Sequence, residues 1–154
     1  TAHYGYYHGY TLFDKEKKQP RYPFGYGLSY TQFKISDLKT SEVFKTSDVS
    51  SGSVRITVKV KNTGKHQGAE VVQVYVSPPA GSIDRPEKLL RAFKKVYLQP
   101  GEEQTIELNI PLNDLAWYNP ATKAWVIDAG TYTVLAGNQS RDAEMQQTTF
   151  TLNR

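Results

Sequence analysis

The sequence predicts an all-β fold: an antiparallel β-sandwich of about seven strands in the immunoglobulin-like size class, preceded by an extended aromatic arm. Three observations predict it. Short runs of alternating apolar and polar residues recur from Phe33 to the end of the chain. Turn-forming groups such as Asn62-Thr63-Gly64, Pro78-Pro79 and Pro100-Gly101 separate those runs. No segment sustains an apolar stripe at helical spacing.

Residues 1–32 form the arm and a turn segment, and residues 33–154 the sandwich. The stretch from His3 to Phe13 is too short and too rich in tyrosine and glycine for a helix, so an extended segment or edge strand is expected. A charged turn, Asp14 to Pro20, follows. Then comes Tyr22-Pro23-Phe24-Gly25-Tyr26-Gly27-Leu28-Ser29-Tyr30-Thr31, in which proline fixes the backbone at one point and Gly25 and Gly27 admit positive φ. Such a peptide makes a shaped turn that projects rings. Tyr6, Tyr7, Tyr10 and Phe13 of the arm, with Tyr22, Phe24, Tyr26 and Tyr30 of the turn, carry large apolar areas and are expected to dock on a partner surface.

The strands follow in order. Phe33 to Leu38 alternates; Ser53 to Lys61 alternates more cleanly, with Val54, Ile56, Val58 and Val60 on one face. Asn62-Thr63-Gly64-Lys65 turns, with Gly64 available for positive φ, and Ala69 to Ser77 returns. Leu89 to Leu98 and Gln104 to Leu112 come next, the latter with Ile106, Leu108 and Ile110 inward. A single helical turn is expected near Leu112-Leu115. Leu115 to Tyr118 and Ala124 to Ile127 flank a turn at Asn119-Pro120, and Gly130 to Gly137 and Thr148 to Leu152 complete the set.

Chemistry is sparse. A chain of 154 residues has room for one domain and an extension, and its lack of cysteine removes disulfides and thiolate chemistry. A net charge of +4, with lysines scattered among acids and apolar residues, reads as a solvated surface without a nucleic-acid groove. No apolar run is long enough for a membrane span, and Thr1 opens neither a leader nor a start methionine, which reads as a longer polypeptide cut here. No nucleotide loop or nucleophile elbow occurs, so no cofactor is expected. His3, His8 and His66 read as surface or interface residues without a metal. Asp37, Asp48 and Glu102-Glu103 read as turn or strand-end acids, and Asn138-Gln139-Ser140 as a chance glycosylation triplet. Trp117 and Tyr118 could stack a sugar, whereas Trp125 reads as core.

The run Tyr22 to Thr31 closely resembles the Phe-Pro-Phe-Gly-Tyr-Gly-Leu-Ser-Tyr-Thr signature of family 3 glycoside hydrolases, the β-glucosidase family, with Tyr22 as one conservative change. Gly5 to Tyr10 is similar to the family's Glu-Gly-x-x-x-Gly-Tyr segment, with Tyr4 in place of the glutamate. Asn62-Thr63-Gly64, Gly68 to Val76, Arg85-Pro86 to Phe93, Leu98 to Gly101 and Gly130 to Gly137 resemble the motifs that follow it. The resemblance implies a junction between an α/β sandwich domain and a C-terminal fibronectin type III-like domain. It also implies that the nucleophile and the acid/base lie upstream, so that this chain alone is inactive. The parent would hydrolyse terminal β-D-glucosides with retention and without a cofactor, and its barrel and α/β sandwich domains would be the partners. Two other readings remain at this point: a carbohydrate-binding module using Trp117 and Tyr118 on a glycan, and a generic partner-binding sandwich.

Overall fold

A computed structural model of the chain describes residues 5–41, 43–45, 52–81 and 83–153. Ten strands are described: β1 (Phe33–Thr40), β2 (Val43–Lys45), β3 (Ser53–Asn62), β4 (Gly68–Ser77), β5 (Leu89–Leu98), β6 (Glu103–Pro111), β7 (Trp117–Asn119), β8 (Ala124–Val126), β9 (Gly130–Gly137) and β10 (Gln146–Asn153). They form a three-stranded sheet, β1-β3-β6, a five-stranded sheet, β2-β10-β9-β4-β5, and the hairpin β7-β8. Every pairing is antiparallel except that of β10 with β2.

The alternation read from the sequence is the cause of this layering. Val54, Ile56, Val58 and Val60 of β3 are fully buried, as are Val72 and Val74 of β4, and they meet in one core with Ile106, Ile110, Val134 and Leu152. Burying each such side chain stabilises by about 1.5–3 kcal/mol relative to leaving it in water. Tyr132 stacks on Phe150 with ring centroids 5.1 Å apart, and its hydroxyl donates to the Asp128 carbonyl at 2.8 Å. The expected helical turn at Leu112–Leu115 is a short 3-10 helix, and a second lies at Asp142–Glu144. In the ladder between β4 and β5, Val74 faces Ala92 but Tyr75 faces Leu90, so Arg91 is the extra residue of a bulge.

Four readings need correction. Residues Gly9–Lys15 form an α-helix, α1, where an extended segment was expected. Helices this short are marginal in water, so the cause is tertiary. Tyr10 lies edge-on to Tyr75 at 5.5 Å and its hydroxyl accepts the Leu90 amide at 3.0 Å, while the Thr11 hydroxyl donates to the His8 carbonyl at 2.7 Å. Nor do all the arm's rings await a partner surface. Tyr75, Leu135 and Met145 form a second apolar cluster on the outer face of the five-stranded sheet, and Tyr10 packs on it.

Gly64 has no positive φ. A Cβ there would stand 2.1 Å from Thr31 Oγ1 and 2.9 Å from the Gln32 amide nitrogen, so the glycine serves a close approach. Trp125 is not core, being 72% exposed on the hairpin. The short strand β2 was not anticipated. Its pairing is parallel and its three residues carry too little pattern to read. His3, Tyr4 and Asp48 lie outside the described residues.

Candidate docking surface and aromatic cleft

The turn segment is fastened at both ends. Near its start, the Ser140 amide donates to the Phe24 carbonyl at 2.9 Å, and Tyr26 closes a turn on the Pro23 carbonyl at 3.0 Å. Gly25 has φ +89°, and a Cβ there would meet Gln73 Nε2 at 2.2 Å and the Asn138 carbonyl at 2.6 Å. Backbone conformation and close approach both require glycine. Near its end, Thr31 Oγ1 donates to Asn62 Oδ1 at 3.0 Å, which also accepts the Gly64 amide at 3.0 Å. Asn62 is fully buried, and its amide donates to the carbonyls of His66 at 2.8 Å and Leu98 at 3.0 Å. That side chain ties the turn segment to the sandwich.

With the backbone held, the rings divide. Tyr7 and Tyr10 turn toward the chain's own sandwich. Tyr7 donates to Asp84 at 2.7 Å, with the Lys15 ammonium 3.7 Å from its ring centroid and 2.8 Å from the same carboxylate. Burial foremost, then the bond to Asp84, pushes the Tyr7 phenol up to about 12. Tyr22, Phe24, Tyr26 and Tyr30 are exposed, Tyr30 completely, although the Phe24 ring also lies 6.1 Å from that of Tyr10. Tyr6 is exposed and Phe13 barely so. The sequence reading missed three members of this surface. Leu28 is exposed at the tip of the turn, and Phe93 and Tyr97 are exposed on β5. Phe93 and Tyr97 are four residues apart on one strand, and that signal was legible.

α1 is pinned by a buried lysine held between two carboxylates, of which Asp142 is exposed. The Lys88 ammonium is 2.7 Å from Asp14 and 2.7 Å from Asp142. Burial pushes the Asp14 carboxyl up, against the pull of Lys88.

Three clefts flank these features, the smallest, of about 330 Å³, lying beside α1 and Pro23. A second, of about 590 Å³, runs under the turn segment and is lined by Glu70 and Glu144 among others. Both acids are occupied: Glu70 accepts the Val71 amide at 2.9 Å and the Asn138 amide at 3.0 Å, and Glu144 accepts from Gln139 and Arg141. Neither is placed as a free acid or nucleophile. The third, of about 500 Å³, lies between the β7-β8 hairpin and the start of β5, lined by Tyr6, Arg85, Arg91, Trp117, Tyr118 and Trp125 among others. Trp117 is half-buried and donates its indole N–H to Asp128 at 3.0 Å, which pairs with Arg85 at 2.8 Å. Tyr118 and Trp125 are the exposed rings, edge to face at 5.8 Å.

The family profile of the fibronectin type III-like domain matches residues 70–140. The chain is 41% identical over 144 residues to thermostable β-glucosidase B of Acetivibrio thermocellus, covering 93% of this chain and 18% of that protein. It is 41% identical over 138 residues to a β-glucosidase of Kluyveromyces marxianus, covering 87% of this chain and 15% of that one. Among solved structures, β-glucosidase 3B of Thermotoga neapolitana, in complex with α-D-glucose, superposes with a TM-score of 0.81 at 41% identity, over 94% of this chain and 19% of that one. The family 3 β-glucosidase of Bifidobacterium adolescentis gives 0.82 at 34% identity, over 94% of this chain and 20% of that one. The chain thus spans a fifth or less of these relatives' length. Signature, sandwich and sequence identity agree over nearly its whole extent, and the chain belongs to the C-terminal, fibronectin type III-like part of the glycoside hydrolase family 3 β-glucosidases.

Proposed function

We propose that the chain is the non-catalytic docking domain of a glycosidase, and that its turn segment binds the parent's α/β sandwich domain. One observation carries the reading. The segment is hydrogen-bonded to the sandwich through its backbone and through Thr31, yet Tyr22, Phe24, Tyr26, Leu28 and Tyr30 all face outward. A peptide held this firmly while exposing five large apolar side chains is a prepared contact surface. The parent would hydrolyse terminal β-D-glucosides with retention, using carboxylates outside this chain. In the full-length parent, a variant with Tyr22, Tyr26 and Tyr30 all changed to alanine is expected to melt several degrees lower and to lose turnover at the same temperature. Unchanged melting and turnover would refute the docking role.

A second reading is favoured by the exposure of Tyr118 and Trp125 on the hairpin: the cleft beside them stacks a sugar ring. Relative to the sequence reading, the platform moves from Trp117, which forms the cleft wall, to Trp125.

A further inference from the structure

We propose that the cleft beside the β7-β8 hairpin binds a carboxylate carried on a six-membered ring, with Arg91 holding the acid and Trp125 and Tyr118 contacting the ring. The inference rests on the stacking reading of these rings and adds a charged specificity to it.

The argument begins with charge. Two other charged groups line the cleft, and each is neutralised within the chain. Arg85 is paired with Asp128 and donates to the Pro79 carbonyl at 3.0 Å. Asp84 is paired with Lys15. Arg91 has neither an ion pair nor a hydrogen bond among the described residues, although it is half-buried. Asp114 exerts a favourable field on it but makes no ion pair. A guanidinium drawn out of water without a partner is unfavourable, and burial here pushes its pKa below the ordinary arginine value.

Geometry adds a second, independent observation. Arg91 is the extra residue of the β5 bulge, and bulges re-aim the side chain they insert. Here the bulge puts a cation on the cleft wall among Leu89, Leu115 and Trp117. The volume of about 500 Å³ falls within the roughly 300–1,000 Å³ of clefts that hold small ligands.

These features select the ligand class. A single planar guanidinium matches the two oxygens of a carboxylate. A phosphate, with close to two negative charges, would be left half-compensated by one cation. The apolar walls and exposed rings require a ring with an apolar face behind the acid. A hexuronic acid or an aryl carboxylic acid meets both requirements.

The two tryptophans of the chain both line this cleft, so their indole N–H resonances report its occupancy. The 154-residue chain is titrated with sodium glucuronate, sodium benzoate and glucose at matched ionic strength. Saturable shifts are expected with one or both acids, with glucose weaker by about tenfold or more. Binding of glucuronate alone identifies a sugar acid, and of benzoate alone an aryl acid. Arg91→Gln is expected to erase the preference for acid over glucose, Arg91→Lys to keep part of it, and Trp125→Ala, at an exposed site, to weaken the acids. Equal binding of glucose and glucuronate overturns the carboxylate specificity while the stacking reading survives. An acid affinity unchanged in Arg91→Gln overturns it too. No saturable shift with any of the three overturns both readings of the cleft and leaves the docking role standing.

Discussion

Lys88 is a lysine with only 2% of its surface exposed, and two carboxylates decide what it does there. Burial alone would lower its pKa, but its bonds to Asp14 and Asp142 outweigh that and raise it above 10.5. A folded-state pKa above the unfolded one means that the protonated lysine stabilises the fold. That contribution is complete below pH 10.5 and is lost as pH rises through the folded value. Removing one partner of a buried pair leaves the other charge uncompensated, here Asp14. Lys88→Met is therefore expected to destabilise by about 3 kcal/mol in urea titrations at pH 7. The variant should also lose less stability than the parent chain above pH 10.5, where the part that remains belongs to buried phenols such as Tyr132, pushed up to about 12.

Gly64 makes a second case at this scale. Gly64→Ala would force its Cβ against Thr31 and the Gln32 backbone, and destabilisation of about 1–3 kcal/mol is expected from thermal melts. Because Thr31 ends the turn segment, the same variant should loosen that segment first.

At the level of elements, α1 depends on what it touches. Seven residues cannot sustain a helix alone, and its anchors are Tyr10 on Tyr75 and Leu90, Asp14 on Lys88, and Lys15 on Asp84. Tyr10→Ala is expected to abolish hydrogen-exchange protection in Gly9–Lys15 while β4 and β9 keep theirs. Acid should act on another anchor. Asp84 is held below the ordinary carboxyl value of 3.8, chiefly by its bond to Lys15, so its contribution is present above that pH and lost as pH falls through the folded value. The amides around Tyr7 should lose protection in that window before the sandwich core does.

These elements also show which parts of the structure sequence can reveal. β3 and β6 were legible because a strand with one buried face writes its period into the chain, and β4 and β9, buried on both faces, because apolar and β-branched runs lie between turn residues. α1 was not, because its cause is a tyrosine bonded to a strand 80 residues away. The outward rings of the turn segment were legible from composition and from their glycines. The inward turn of Tyr7 and Tyr10 was not, since an aromatic residue carries no mark of which side it will face. Arg91 and its bulge were hidden for a related reason: a bulge is a property of two paired strands, and one strand's sequence does not state it.

For the whole molecule, the layers run three-stranded sheet, core, five-stranded sheet, turn segment and then open rings, so the outermost apolar layer is uncovered in the chain alone. Concentration-dependent association is therefore expected in sedimentation experiments, and Tyr30→Asp should suppress it with a change in stability within about 0.5 kcal/mol, because that ring touches solvent only. The parallel pairing of β2 with β10 has a mechanical consequence. Thr151, Leu152 and Asn153 lie beside Val43, Phe44 and Lys45, so tension applied from before β1 to beyond β10 drags the two strands along their length in opposite directions. The hydrogen bonds of that ladder are then loaded in shear, together, where an antiparallel pair pulled from one end would unzip bond by bond. A domain pulled from its two ends in this way resists stretching before it yields.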